Sequence, residues 1–329
     1  MTEIQPDSTQ YNKSVPTASN SITSPFLNYQ QSDLKTDEKG HKRGEIEFNK
    51  LKELWFQTGT QCNLACTGCF EASSPTNKRL LFMTLEDVIP YIGEGLELGA
   101  EKIAFTGGEP FLNQHFPDIL DYSMKNANTL VLTNGTKPFS RNIDSILQTA
   151  SQSPYKLEIR ISLDSLDEDS HNAIRDPHKK LAYNQAVESI KYLAKKGHPA
   201  YIAGRSANSD MAPQFKEDYK SFFEEKGIPV AGVTIFNEFD APQTIPTITP
   251  NCMSKLSHEQ KTNFMCTYLR QVVKKPEGMR VIACTVTNDH NGFDYGPSLK
   301  ESLTKNTVMA HHRCLTMCYA GGASCSTGK

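Results

Sequence analysis

The stretch ELWFQTGTQCNLACTGCF, residues 53–70, decides the fold. Its first part, ELWFQTGT (53–60), reads as a β-strand. It runs straight into three cysteines, Cys62, Cys66 and Cys69, spaced C-x3-C-x2-C. A [4Fe–4S] cube has four irons, so three thiolates on one loop leave one iron open to a ligand that is not protein. A cluster held by four cysteines usually carries electrons, whereas an open iron is a place for reaction. A structural zinc site would want a fourth ligand close by, which this loop lacks. Three free thiols packed into eight residues with no metal would be an unusual core.

Working outward, the pattern becomes one of alternating strands and helices. A helix is expected over 84–99 with Thr84 as N-cap, then the strand EKIAFT breaks into Gly107, Gly108 and Glu109. A helix over 116–126 precedes the strand TLVLTNG (129–135), which ends at Asn134. Helix 139–150, strand 156–164, helix 181–196, strand 199–205, helix 212–226 and strand 230–237 follow. Six strands alternating with helices imply parallel strands joined by right-handed crossovers. The expected fold class is α/β, a partial TIM barrel of the (β/α)6 type, with functional groups at the C-terminal ends of the strands. The cysteine loop, Gly107–Glu109 and Asn134 all fall there. Glycines at a strand end let backbone approach a ligand closely, and Glu109 can accept from a ligand ammonium, although GGEP alone would be a common turn.

In LEIRISLD (157–164), Ile159, Ile161 and Leu163 alternate with Arg160, Ser162 and Asp164. The period of two sends the apolar set toward the helices and the polar set into the lumen. Polar groups there need partners, either a ligand or an internal salt-bridge network.

The order CNLACTGCF, TGGEPF, TNG, ISLD resembles the radical S-adenosylmethionine (radical SAM) superfamily over residues 52–240. The resemblance implies a [4Fe–4S] cluster on Cys62, Cys66 and Cys69, with SAM chelated to the free iron. One electron would then cleave SAM to methionine and a 5′-deoxyadenosyl radical, which abstracts a substrate hydrogen. It also implies that Gly107, Gly108 and Glu109 meet the methionine amino group, that Ser162 and Asp164 contact the ribose, that Arg205 pairs with the SAM carboxylate and that Asn134 lines the lumen mouth. Gly68 stands where the family often has an aromatic residue near the adenine, with Phe70 beyond it.

Past residue 245 the alternation stops. YLRQVVKKPEGMRVIACTV reads as a β-hairpin turning at Pro276–Glu277–Gly278, flanked by Cys266 and Cys284, and Cys314, Cys318 and Cys325 follow. This resembles the twitch and SPASM extensions that bind auxiliary iron–sulfur clusters, and a twitch with one auxiliary [4Fe–4S] cluster fits the spacing better. Cys266, Cys284, Cys314 and Cys318 are the expected ligands, with Cys325 as the replacement. A zinc knot and unmetallated core cysteines are the alternatives. Cys252 reads as a small buried hydrophobe, His311 and His312 as surface or supporting groups with metal ligation as the other reading, and Trp55 as core. Asp289, His290 and Asp294 read as solvated polar residues, with substrate contact as the other possibility.

The bulk numbers agree with an enzyme. The chain has 329 residues, 37% hydrophobic, with a net charge of −2. No basic stripe points to nucleic acid. No apolar run approaches the ~20 residues of a membrane span, and the N-terminus lacks a signal-peptide pattern. Nine cysteines without signs of secretion favour metal binding over disulfides and point to the cytoplasm. The expected organisation is a disordered polar segment (1–45), a radical SAM core (46–244) and an auxiliary cluster domain (245–329). The expected partners are a small-molecule or peptide substrate and a reductant such as a ferredoxin or flavodoxin. Oxidation of a small molecule is the first reading, because residues 1–45 do not resemble a winged-helix peptide binder. A maturase that crosslinks or epimerises a ribosomal peptide is the second, and a non-catalytic metal-binding scaffold the third.

Overall fold

The computed structural model describes residues 34–69, 71–176, 178–206, 211–237 and 247–319. Its strands are β1 (Glu45–Ile46), β2 (Glu53–Gln57), β3 (Lys102–Thr106), β4 (Asn128–Thr133), β5 (Leu157–Ser162), β6 (Tyr201–Ser206), β7 (Gly232–Asn237), β8 (Leu269–Lys275), β9 (Gly278–Ile282) and β10 (Thr307–Val308). The main sheet has the order β7-β6-β5-β4-β3-β2-β8-β9, and β1 pairs with β10 apart from it. Strands β2 to β8 run parallel to their neighbours, and only β9 is antiparallel. The sheet is open, with β7 and β9 at its two ends, so the α/β reading holds as a partial barrel that does not close.

The helices between the strands are α1 (Leu85–Glu97), α2 (Phe116–Asn126), α3 (Lys137–Ser140), α4 (Ile143–Gln152), α5 (Glu168–Arg175), α6 (Ala182–Lys195) and α7 (Ala212–Glu225). Thr84 caps α1 through a capping box with Asp87, as its position before an amphipathic run demands. The expected single helix 139–150 is two, α3 and α4. Helix α5 had no counterpart in the expected elements. It is polar on most sides and buries only His171 and Asn172, so its sequence carries little helical periodicity. Asp167 starts it by accepting from Ser170 N at 2.8 Å.

Period two divides the sheet into two cores. Phe56, Phe105, Val131, Ile159, Ile161 and Ile202 face the helices and pack with Phe111, Phe116 and Phe139. Trp55, Ala104 and Leu130 face the other way, where Met265, Cys266, Cys284, Met309 and Cys314 cover them. The C-terminal segment therefore fills the lumen side of the same sheet. Its hairpin continues that sheet, because β8 pairs with β2 from Glu53↔Leu269 to Gln57↔Val273.

Of the arm expected to be loose, residues 34–45 are described, and they pack. Gly44 N donates to Ile248 O at 2.7 Å and Met309 N to Gly44 O at 2.8 Å. The boundary expected near 244 falls among residues outside those described.

Candidate cluster and cofactor site

Strand β2 ends at Gln57, and the chain turns at Gly59 (φ +130°) into the cysteine loop. Two backbone bonds pin that loop to the glycine segment after β3. Gly108 N donates to Gly59 O at 2.9 Å, and Glu109 N to Gln61 O at 3.1 Å. Residue 108 must lack a side chain, because a Cβ there would collide with the Gln61 carbonyl group and stand 2.8 Å from Thr60 O. At Gly107 a Cβ would lie 2.7 Å from Thr58 Oγ1. The glycines thus serve the approach of one loop to another.

Glu109 is 1% exposed. Its carboxylate accepts from Thr133 Oγ1 (2.9 and 3.0 Å), Asn134 N (2.8 Å) and Phe111 N (3.3 Å). Burial pushes its pKa up to about 7 against the pull of these donors. Backbone and side chain together make Glu109 the tie between the cysteine loop, β3 and β4.

Asn134 reaches the thiols. Its Nδ2 donates to Asn63 Oδ1 at 3.0 Å and lies 3.7 Å from Cys62 Sγ, and its Oδ1 accepts from Thr136 N at 2.9 Å. Leu64 N also points at Cys62 Sγ, at 3.4 Å. Such N–H groups stabilise the charge of a metal-bound thiolate. With no metal, burial pushes the Cys62 thiol up to about 12 and raises that of Cys66.

Asp164, just past β5, is 6% exposed. Both its oxygens accept from Arg175, Nε to Oδ2 at 2.8 Å and Nη2 to Oδ1 at 2.9 Å. Burial works to raise its pKa, but the Arg175 and Arg205 charges hold it below the usual carboxylate range. Arg205 Nη1 stands 3.8 Å from Asp164 Oδ2 and 3.4 Å from Thr67 O. Gly68 adopts φ +70°, and a Cβ on it would lie 3.1 Å from Arg205 Nη2. The guanidinium of Arg205 therefore occupies the flank of position 68, where the family often places an aromatic ring. Ser162 is half-buried at the end of β5. The sequence residues Cys62, Cys66, Glu109, Asn134, Asp164 and Arg205 thus meet around one loop. Arg175 was missed, because nothing in the sequence says that α5 folds its last turn back onto residue 67.

The family model for the radical SAM superfamily matches residues 56–219, the span that carries every contact just described. The chain belongs to the radical SAM superfamily. Over 155 residues it is 31% identical to the antilisterial bacteriocin subtilosin biosynthesis protein AlbA of Bacillus subtilis (strain 168), a stretch that is 47% of this chain and 33% of AlbA. It is 21% identical over 185 residues to the GTP 3′,8-cyclase of Mannheimia succiniciproducens, covering 55% of this chain and 52% of that one. The matched stretch is thus only a third to about half of these relatives. Among solved structures, Streptococcus suis SuiB bound to S-adenosylmethionine superposes with TM-score 0.55 at 13% identity, over 75% of this chain and 63% of SuiB. SAM-bound anSMEcpe gives 0.52 at 18%, over 76% and 79%. These likenesses concern the fold.

The residues present fit the radical SAM cluster. The loop offers three thiols, N–H donors at Cys62 and cationic side chains beside Cys66. Among the described residues no three His, Cys, Asp or Glu side chains close up around a single ion. Thiols that each reach a different iron of a cube stand further apart than ligands of one ion.

The second cysteine set comes from three distant segments. Cys266 sits in the turn before β8, Cys284 just after β9, and Cys314 opens the final helical turns Cys314–Tyr319. All three are buried in the apolar cluster that includes Trp55 and Leu130. Burial pushes Cys266 up to about 11, and burial together with the Cys266 charge pushes Cys284 up to about 12. Cys318 lies half-buried at the edge of this cluster. So does Cys252, whose Sγ is 3.3 Å from Thr249 Oγ1. Cys325 lies outside the described residues. All eight described cysteines are free of disulfides.

Of the polar residues nearby, His311, His312 and Arg313 are buried, while Asp289, His290 and Asp294 are half-buried. His311 and His312, expected at the surface or in support, are both buried, with ring centroids 4.3 Å apart. His311 Nε2 meets Asp289 Oδ1 at 3.1 Å, and Arg313 Nη1 meets Asp289 Oδ2 at 3.1 Å. Burial opposes it, yet these partners hold the Asp289 carboxyl well below the usual range. Asp294 pairs with Lys275 (2.7 Å) and Arg280 (3.0 Å). His290 Nδ1 accepts from Gly292 N at 3.0 Å. Trp55 is core, with Nε1 donating to Glu53 Oε2 at 2.8 Å.

Proposed function

We propose that this protein is a radical SAM enzyme that removes hydrogen from a substrate held between the partial barrel and its C-terminal segment. The observation that carries the reading is a cysteine loop at the C-terminal end of β2 together with a second thiol set packed on the lumen face of the same sheet. Trp55 packs in the cluster around Cys266, Cys284 and Cys314, and Cys62 follows it by seven residues. Seven residues of chain span at most about 25 Å, so Cys62 lies within that distance of Trp55, the residue the second set packs around. Bound at Cys62, Cys66 and Cys69, a [4Fe–4S] cluster would supply the electron that cleaves SAM to the hydrogen-abstracting 5′-deoxyadenosyl radical.

The chain's own residues would do the rest. Asn134 and the Leu64 N–H would hold the Cys62 thiolate, and Gly107 and Gly108 would let backbone approach the methionine end. Arg205, bound less closely to Asp164 than Arg175 is, would turn to the SAM carboxylate, while Ser162 and Asp164 would accept the ribose hydroxyls. Cys266, Cys284 and Cys314, with Cys318 as fourth ligand, would hold an auxiliary [4Fe–4S] cluster that takes the second electron from the substrate. Free thiols and a low-potential reductant such as a ferredoxin or flavodoxin suit the cytoplasm. No described helix is long and apolar enough to cross a membrane.

A peptide is the substrate class we favour, on the likeness of the core to the bacteriocin biosynthesis protein AlbA. Oxidation of a small molecule is the second reading, and the likeness of the same core to GTP 3′,8-cyclases favours its small-molecule part alone. The argument for it from residues 1–45 rests mainly on residues outside those described. The test is anaerobic reconstitution, reduction and addition of SAM, with and without a precursor peptide encoded beside the gene. The reading expects 5′-deoxyadenosine, and a peptide that loses hydrogen by mass spectrometry. No 5′-deoxyadenosine under any condition would sink the enzyme reading, and an unchanged peptide would sink the peptide reading.

A further inference from the structure

We propose that Arg175 is a positioning residue that sets the reduction potential of a cluster on Cys62, Cys66 and Cys69, by fixing a buried positive charge against the Cys66–Cys69 part of the loop. The inference rests on the cluster reading above and goes beyond it, to how easily the cluster takes its electron.

The geometry begins with the backbone. Thr67 N donates to Ile174 O at 2.8 Å, so the last turn of α5 is stitched to the middle of the cysteine loop. A helix C-terminus carries partial negative charge, which by itself would oppose adding an electron there. The next residue on α5 is Arg175. Its side chain is 15% exposed and grips Asp164 through two parallel bonds, at 2.8 and 2.9 Å. A bidentate pair of this kind is the rigid form of the interaction. Arg205 Nη1 stands 3.8 Å from the same Asp164 carboxylate and 3.4 Å from Thr67 O, so the Arg175–Asp164 pair lies against the loop. Arg205 closes the other flank over Thr67 and Gly68.

At the Cys66–Cys69 end, two guanidiniums and the Asp164 carboxylate leave a formal charge of +1, while the Glu109 carboxyl faces the Cys62 end. Three thiolates outweigh the positive charge of the iron–sulfur core, so the cluster is already negative, and reduction adds one more negative charge. In a site shielded from water, a fixed cation favours the more negative state more strongly. Arg175 is the cation that cannot leave, because Asp164 holds both ends of its fork, whereas Arg205 meets Asp164 only at 3.8 Å.

The test is an EPR-monitored redox titration of the reconstituted full chain, following the signal that changes when SAM is added. Three variants carry it. Arg175→Met removes the cation and leaves Asp164 with only its looser contact to Arg205, so the reduced fraction at fixed potential should fall about tenfold, a downward shift of about 59 mV for a one-electron couple. Asp164→Asn leaves the cation in excess, so the potential should rise. Arg175→Lys keeps the charge and should stay near wild type. A purely structural role would move Arg175→Met and Asp164→Asn the same way, or neither. That result, with iron content intact, overturns the inference. Should Arg175→Met fail to assemble its cluster, the rise expected of Asp164→Asn beside an unshifted Arg175→Lys still decides, and an unshifted or lowered Asp164→Asn overturns the inference. A wild-type chain that binds no iron would refute the cluster reading itself, a different outcome from unchanged potentials.

Discussion

The loop of Cys62, Cys66 and Cys69 and the pocket of Cys266, Cys284 and Cys314 offer the same ligand atoms in opposite settings. The first set lies on eight consecutive residues, between two arginines, a buried glutamate and an asparagine amide. The second is assembled from segments far apart in sequence and is wrapped mainly in Trp55, Leu130, Met265, Met309 and Met317, with the buried Arg270 bonded to Cys266 O at 2.8 Å as a close cation. A site ringed by charge and hydrogen bonds can orient a polar cofactor. A site lined by apolar side chains shields what it holds and is suited to passing electrons. The difference supports giving the first set the chemistry and the second a part in its electron traffic.

The largest expected effect comes from removing one thiol of the first set. Cys66→Ala should bring 5′-deoxyadenosine formation to background and leave the auxiliary irons, about four per chain, in place. Turnover near wild type would break the comparison at once.

Next is the joint between that loop and the glycine segment. Gly108→Ala drives a Cβ into the Gln61 carbonyl, and backbone has to move. We expect about 3 kcal/mol of lost stability, read by denaturant unfolding, because overpacking against backbone relaxes poorly. A neutral Gly108→Ala would mean that the loops are not packed as described.

Glu109 separates the two regions by pH. Its folded pKa, about 7, lies above its ordinary 4.5. Between those values the folded chain keeps a proton that the unfolded chain has lost, so this group makes stability fall as pH rises. The loss is roughly 3 kcal/mol at most and is complete above about pH 7. Melting of the metal-free protein from pH 4.5 to 8 should show that slope, and Glu109→Gln should flatten it. A slope kept in the variant would assign the effect to another group.

The smallest effect belongs to the apolar pocket. Trp55→Phe keeps most of the packing and loses the 2.8 Å bond to Glu53. It should cost about 1 kcal/mol in unfolding free energy and leave iron content unchanged. Loss of iron from the second set would show that the pocket depends on Trp55 far more than a single hydrogen bond explains.

The same contrast explains what the sequence made legible. The alternation of strands and helices, the cap at Thr84, the two faces of LEIRISLD and the first cysteine loop are local, so period and spacing carry them. Helix α5 was not legible, because so little of it is buried. With it went Arg175, whose place depends on a tertiary bond between Thr67 and Ile174. The second thiol set was visible as a count and a hairpin. That Cys314 joins Cys266 and Cys284 depends on how the tail folds into the lumen, which no spacing reveals. Asp289 and His311 looked exposed for a related reason. Each is polar, and only the fold shows that they pair, His311 buried and Asp289 half-buried.

The most direct test is to replace Cys266, Cys284 and Cys314 together by alanine, reconstitute anaerobically, and measure iron and 5′-deoxyadenosine on the same sample. The account predicts a fall from about eight to about four irons per chain, with SAM cleavage kept and substrate conversion lost. An unchanged iron count, or loss of SAM cleavage while four irons remain, would contradict it.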